Sequence, residues 1–250
     1  MTQDLFRQDA YLRECSAHIT AITDVGIVLD QTVFYPLGGG QAGDSGVLVL
    51  ADGTDIVIAD TRKGKDADGN PTSDIVHIPA AGQEDRVAQL TPGTTVTARI
   101  DWERRHRMMR LHTTSHLLCH VVPQLVNGCS ITPDYARMDF AMTDPLDKEQ
   151  LTAAIATLVA AAHPLTVASI SDEELDANPA LVKSMSVQPP RGTGRIRTIR
   201  IGGEADAPPI DLQPCGGTHV ANTSEIGAIV VTKIEKKSAT TRRVVLGFAQ

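Results

Sequence analysis

Two short segments carry the residues best suited to chemistry. The first is His112-Thr113-Thr114-Ser115-His116, with imidazoles four residues apart. On a helix that spacing puts both rings on one face, one turn apart, where their nitrogens can converge on a single ion. The second is Cys215-Gly216-Gly217-Thr218-His219, a thiol and an imidazole at the same spacing in a turn. Gly216 and Gly217 let the backbone fold tightly enough to bring both side chains to one point, and Pro214 limits the approach. A mixed nitrogen and sulfur set of this kind suits zinc, either closed with four protein ligands or keeping one position for water. The first segment lacks the glutamate of the HExxH metalloprotease pattern, so it brings no general base of its own. His120 lies one turn beyond His116 and leaves the helical pair open: His112 with His116, or His116 with His120. All three do not fit one ion, because His112 and His120 are separated by about 12 Å of helical rise, against zinc–nitrogen bonds of about 2 Å. Cys119 and Cys129 are further thiols, the first read as a small buried residue and the second as part of a Gly-containing turn.

The first pair needs a helix, and the pattern supplies one over 102–122. Asp101 is suited to cap it and Glu103 to sit in its first turn. Met108, Leu111, Ser115, Leu118 and Val122 keep helical spacing, and Pro123 ends the pattern. A second helix is expected over 145–162, capped by Asp144 with Pro145 in its first position. A short third one starts at Ser171, where Glu174 completes capping-box spacing. Before residue 101 the pattern is of strands: Ile19 to Ile22, Gly26 to Leu29, Gly46 to Leu50, Asp55 to Ile58, Ile75 to Ile78 and Thr94 to Ile100. The polar run from Thr61 to Asp74 reads as a loop. Strands return at Ser184 to Val187, Ile196 to Ile201, Ile229 to Glu235 and Arg243 to Phe248. The expected fold class is α+β. A small N-terminal β-barrel domain over 1–98 precedes a domain of helices and antiparallel sheet over 99–250.

Composition bounds the rest. Of 250 residues, 42% are apolar but only 3% aromatic, so the core must be aliphatic. The four cysteines, with no basic-then-apolar leader in the N-terminal sequence, point to a cytoplasmic protein with reduced thiols. No run is long enough to cross a membrane, and neither a membrane nor DNA is expected as a partner. The net charge of −7 is unevenly spread: residues 1–98 carry 14 acidic and 6 basic side chains, the remainder 16 and 17. Basic groups cluster at Arg104, Arg105, Arg107 and Arg110, at Arg191, Arg195, Arg197 and Arg200, and at Lys233, Lys236, Lys237, Arg242 and Arg243. They are able to meet phosphates or simply to face solvent.

The two motifs resemble the zinc-binding motifs of the alanyl-tRNA editing domain, which occurs within alanyl-tRNA synthetase and in free-standing homologues. Val220 to Gly227, VANTSEIG, extends the likeness. Arg137-Met138-Asp139-Phe140 is similar to the family's substrate-side strand, with Met138 where Phe is usual. Phe34 to Gln41, FYPLGGGQ, resembles its glycine motif, with Leu37 where glutamate is common. The resemblance implies a free-standing editing protein that hydrolyses mischarged seryl-tRNA(Ala), with glycyl-tRNA(Ala) as a further candidate, releasing the amino acid in trans. It implies His112, His116, Cys215 and His219 as zinc ligands, so selecting His112 over His120. It places Gly38, Gly39, Gly40 and Gln41 at the substrate, beside Arg137 and Thr218. No residue is assigned as the general base. Arg104, Arg105, Arg107, Arg191 and Arg195 are the expected contacts to the tRNA acceptor arm. The competing readings are an RNA-binding module with structural zinc, and a different metal-dependent hydrolase. Nothing in the sequence fixes an oligomeric state.

Overall fold

The structure is a computed structural model that describes residues 1–189, 194–203 and 208–249. In chain order its elements are β1 (Gln3–Asp4), β2 (Glu14–Thr23), β3 (Gly26–Leu29), β4 (Gln31–Thr32), β5 (Gly46–Leu50), β6 (Asp55–Lys65), β7 (Pro71–Pro79), α1 (Glu84–Val87), β8 (Thr95–Ile100), α2 (Trp102–Val121), β9 (Val126–Ile131), β10 (Tyr135–Ala141), α3 (Lys148–Ala160), β11 (Leu165–Ile170), α4 (Asp172–Ala177), β12 (Ile196–Ile201), β13 (Asp211–Pro214), β14 (Ile229–Ser238) and β15 (Thr241–Phe248). The chain is thus a sheet-rich mixture of helix and strand. Contacts divide it into two compact units: Met1–Gly38 with Ala42–His106, and Gly39–Gln41 with Arg107–Gln250. The division falls inside α2 rather than between residues 98 and 99, and the tripeptide 39–41 groups with the second unit.

In the first unit, β2, β3, β7, β6, β5 and β8 pair in that order and β8 pairs back to β2, closing a barrel. Alternation drives this: along β8 and the first residues of β6, from Asp55 to Ile58, every second residue is buried, so one face of each strand lines the interior. Ile19, Leu29, Phe34, Leu48, Ile56, Ile58, Val96 and Ala98 fill it with aliphatic bulk and a single large ring. The 61–74 segment expected as a loop is mostly strand. β6 runs on to Lys65 and β7 begins at Pro71, leaving only 66–70 as the turn. The Asp66 carboxylate accepts from the backbone N–H groups of Asp68 and Asn70 at 3.0 and 2.8 Å, and Gly69 takes φ +84°. The polar residues of this hairpin mark its solvent face, not an absence of structure.

Arg105 is wholly buried within this unit. Its guanidinium grips the Asp44 carboxylate through Nε at 2.9 and 3.0 Å and again through a terminal nitrogen. It also donates to the carbonyls of Val33 at 2.7 Å and Ala10 at 3.1 Å, while Asp44 accepts from Tyr35 N–H at 2.6 Å. The expectation that Arg105 meets RNA is therefore corrected: its donors are committed inside the protein and none reaches solvent.

In the second unit, β14, β15, β10 and β9 form one antiparallel sheet and β11, β12 and β13 another. α2 covers the expected span. Asp101 caps it, its carboxylate accepting from Arg104 N–H at 3.0 Å. The helix is buried on nearly every side from Leu111 to Cys119, with Thr113, Thr114, Ser115 and both motif histidines inside. The buried hydroxyls remain satisfied: Thr114 and Ser115 donate to the carbonyls of Arg110 and Leu111 at 2.8 and 2.9 Å. α3 begins later than expected, at Lys148 rather than Pro145. Asp147, not Asp144, supplies the cap, accepting from Gln150 N–H at 2.8 Å. The Ser171 capping box on α4 is present in both directions. The strand expected over 184–187 is reduced to one bridge between Ser184 and Val126.

Candidate metal centre

α2 presents His112 and His116 on one face, while His120 is exposed at its end. The 215–219 turn follows β13 and is held from behind by Arg197, which donates to the carbonyls of Cys215 at 2.6 Å and Gly217 at 3.1 Å. Gly217 has no positive φ among the glycines that do. What it supplies is space: a Cβ there would lie 2.2 Å from His112 Cε1 and 2.8 Å from Gln41 Oε1. The turn therefore lies directly against the helical imidazole.

The result is a cluster of His112, His116, Cys215 and His219, each offering one ligand atom, all within 4.8 Å of one another. Cys215 Sγ lies 3.5 Å from His112 Nε2 and 3.3 Å from His219 Nε2. The three rings are mutually close, with centroids 4.2 to 5.3 Å apart. Among the described residues no other group of three or more His, Cys, Asp or Glu side chains meets as a metal-ligand set.

Each histidine is held through its far nitrogen. His112 Nδ1 donates to Gln41 Oε1 at 2.8 Å, and His116 Nδ1 to Asp211 Oδ2 at 2.7 Å. His219 Nδ1 lies 3.2 Å from the Thr113 hydroxyl. Amide and carboxylate oxygens only accept, so the first two rings each carry a proton on Nδ1 and turn Nε2 towards the cluster. Electron pairs and a thiol gathered in a buried space make a poor arrangement without a cation and a good one around it. The donor set thus fits a metal ion.

The electrostatics agree at Cys215 and His219. Burial opposes a charged Cys215, but His112 and His219 outweigh it and hold the thiol well below its usual range, as a thiolate. Burial likewise opposes protonated His116, yet the Asp211 hydrogen bond and Cys215 raise it to about 9. His219, buried and facing His112, is lowered to about 3. Cys215 as thiolate and His219 as neutral imidazole are in the ligand state a cation requires, whereas His116, raised by Asp211 and Cys215, gives up its Nε2 proton when a cation takes that place. By contrast, burial pushes Cys119 up to about 12 and also raises Cys129, which suits neither for ligation.

The other candidates divide. Gln41 and Thr218 are buried and bound to each other: Gln41 Nε2 donates to Thr218 Oγ1 at 2.8 Å, and Thr218 N–H to Gln41 Oε1 at 3.1 Å. Gly39 and Gly40 take φ +57° and +86°, and a Cβ on Gly40 would lie 2.4 Å from Cys129 Sγ. Gly38, in the first unit, has ordinary room and no special backbone conformation. Arg137 sits on β10 with its Nε buried and without a hydrogen-bond partner among the described residues. Arg104 donates to Gly43 O, and Arg107 to Pro133 O with its guanidinium 4.1 Å from the Phe248 ring. Arg195 is exposed and binds Ser169. Arg191 lies outside the described residues. Sequence reasoning missed Thr113, Lys183, Asp211 and Gln213. Only Thr113, inside the first motif, carried a local signal.

Comparison with known proteins sets this geometry in a family. The model of the threonyl and alanyl tRNA synthetase second additional domain matches residues 196–245, and that of class II (A) tRNA synthetases matches residues 8–104. The alanyl-tRNA editing protein AlaX-M of Saccharolobus solfataricus is 33% identical over 98% of either chain, and that of Methanosarcina barkeri 32% identical over the same shares. The alanine–tRNA ligase of Hyperthermus butylicus is 33% identical over 94% of this chain and 24% of its own. No helix among the described residues is long and apolar enough to cross a membrane. With matching identity running from end to end and the motif residues gathered at one point, the chain belongs to the alanyl-tRNA editing protein family.

Proposed function

We propose that this chain hydrolyses the ester linking a wrong amino acid to the terminal ribose of alanine tRNA, acting in trans in the cytoplasm. Serine is the principal passenger removed and glycine a second. The observation that carries this reading is the convergence of His112, His116, Cys215 and His219 within 4.8 Å, in a chain whose full-length relatives are named alanyl-tRNA editing proteins. These four side chains would hold zinc, in keeping with their nitrogen and sulfur donors. Zinc held there would supply positive charge able to polarise an ester or activate a water.

The chain's own residues do the rest. Thr113, Gln41 and Asp211 keep the imidazoles oriented. Gln41 and Thr218, satisfied by each other and by His112, form a fixed polar wall rather than free substrate ligands. Arg137 Nε, buried and without a partner among the described residues, can donate to an incoming acceptor, and its charge is felt at Cys129 together with that of Cys215. Gly39 and Gly40 permit close backbone approach, and Gly38 continues that motif. Selectivity for serine follows if the site hydrogen-bonds its hydroxyl, because alanine would leave those groups unpaired. Arg104, Arg107 and Arg195 remain the candidate phosphate contacts, with Arg191 a fourth from the sequence.

The test is deacylation of seryl-, glycyl- and alanyl-tRNA(Ala) by metal-loaded protein, with His116→Ala as control. Release of serine well ahead of alanine, lost in the variant, is expected. Equal turnover of alanyl-tRNA defeats the selectivity. RNA binding without cleavage defeats the enzyme.

A further inference from the structure

Asp211 lies at the start of β13, four residues before Cys215, and is 2% exposed. Three side chains converge on its carboxylate. His116 Nδ1 donates to Oδ2 at 2.7 Å and Gln213 Nε2 donates to the same oxygen at 2.8 Å. Lys183 Nζ donates to Oδ1 at 2.5 Å, reaching in from the chain that follows α4. Both carboxylate oxygens are thereby fixed in place, and so is the plane in which they meet the imidazole. We propose that Asp211 is a positioning residue for His116, and that the Lys183 ammonium clamps it so that His116 Nε2 faces the metal with its lone pair.

The arrangement argues against a merely structural ion pair. A buried carboxylate is costly unless its charge is matched, and a lysine with a glutamine would suffice for that. The third contact goes to the far nitrogen of a cluster imidazole, along the line that sets its tautomer and ring rotation. The other two histidines have neutral partners, Gln41 and Thr113. His116 alone has a full negative charge behind it, which raises the donor strength of Nε2 above that of its neighbours.

The proposal rests on the metal reading above but not on ester hydrolysis, so its test reads metal binding. Zinc affinity is measured by competition with a chromophoric chelator, and the site geometry by the visible bands of the cobalt(II)-substituted protein. Both are applied to wild type, Asp211→Ala, Asp211→Asn and Lys183→Met, with circular dichroism to verify folding. Asp211→Ala is expected to weaken zinc about 10- to 100-fold and to shift the cobalt bands. Asp211→Asn, whose amide oxygen still accepts from Nδ1, recovers the band positions but only part of the affinity. Lys183→Met loses affinity with smaller spectral change. Should Asp211→Ala fail to fold, the Asn and Met variants decide alone. Unchanged affinity and spectrum in folded variants, with wild type binding zinc, overturns the positioning role and leaves the metal reading intact. A wild type that binds no zinc overturns both.

Discussion

Gly217 shows how one residue sets the site. Its role in the turn is not to bend the backbone into the left-handed region but to be absent as a side chain, since a Cβ would lie 2.2 Å from His112 Cε1 and 2.5 Å from Nδ1. Gly217→Ala is therefore expected to push His112 off its line with Gln41 and to lower bound zinc below one per chain. Far-UV circular dichroism should stay unchanged, because the turn is at the site and not in the core. Full zinc content in the purified variant would show that the ring has room to yield. The same scale explains what the sequence disclosed. Histidine and cysteine spacing announced the ligands, because ligation demands particular atoms at particular reach. It left His112 and His120 unresolved, and burial resolves them, as one ring is enclosed and the other exposed. Asp211 and Lys183 lie distant in sequence from His116, and no spacing rule joins them. Gln41 is placed at the substrate by the family resemblance alone, and no spacing rule shows that its amide also binds His112 and Thr218.

At the scale of elements, α2 illustrates why some of the fold was legible and some was not. Asp101 and Pro123 bound it as capping and chain-stop rules require. Its buried polar stretch, 112–116, would read as a solvent face to any rule that equates polarity with exposure. The 61–74 hairpin is missed in the same way, because its charged and polar residues, most of them facing solvent, look like a loop. Arg105, close to the start of α2, was misread because a cluster of arginines resembles a surface. Only the fold reveals Asp44 opposite it. Arg105→Ala leaves that carboxylate buried without its partner, and unfolding by denaturant should report a loss of about 3–5 kcal/mol. A loss below about 1 kcal/mol, the range of a surface pair, would restore Arg105 to the list of RNA contacts. The barrel also carries its own pH sensitivity. His77 is fully buried, donates through Nδ1 to Ile27 O at 3.1 Å and meets the Thr32 hydroxyl at 2.8 Å through Nε2. Burial lowers it to about 4 from an ordinary 6.5. The fold thus favours the neutral ring. Its contribution is complete above the unfolded value and is lost as pH falls from about 6.5 towards 4, up to about 3 kcal/mol at 1.36 kcal/mol per unit. Chemical denaturation at pH 7 and pH 4.5 should show wild type losing more stability than His77→Gln. Equal losses would place the acid sensitivity elsewhere.

For the molecule as a whole, the question is how a chain of net charge −7 would hold a polyanion. The excess acid belongs to residues 1–98, and the remainder is close to neutral, so any attraction to tRNA must be local and not a general field. Several of the basic groups already serve the protein. Arg197 braces the 215–219 turn. Arg243 forms a bidentate pair with Asp139 at 2.6 and 2.7 Å, and Arg242 donates to the carbonyls of Thr143, Ser238 and Thr241. Arg195 is exposed and donates to the hydroxyl and carbonyl of Ser169. If it neutralises a phosphate, each binding event releases about one counterion's worth of salt dependence through it. The slope of log affinity against log salt for tRNA should then become shallower by roughly 0.7–0.9 in Arg195→Ala. The change should be the same for charged and uncharged tRNA, because the phosphate is indifferent to the passenger, and zinc content should be unaltered, because Ser169 is not one of the four cluster residues. A slope equal to that of wild type would remove Arg195 from the interface. A fall in zinc content would mean that the Ser169 contact supports the site's scaffold instead.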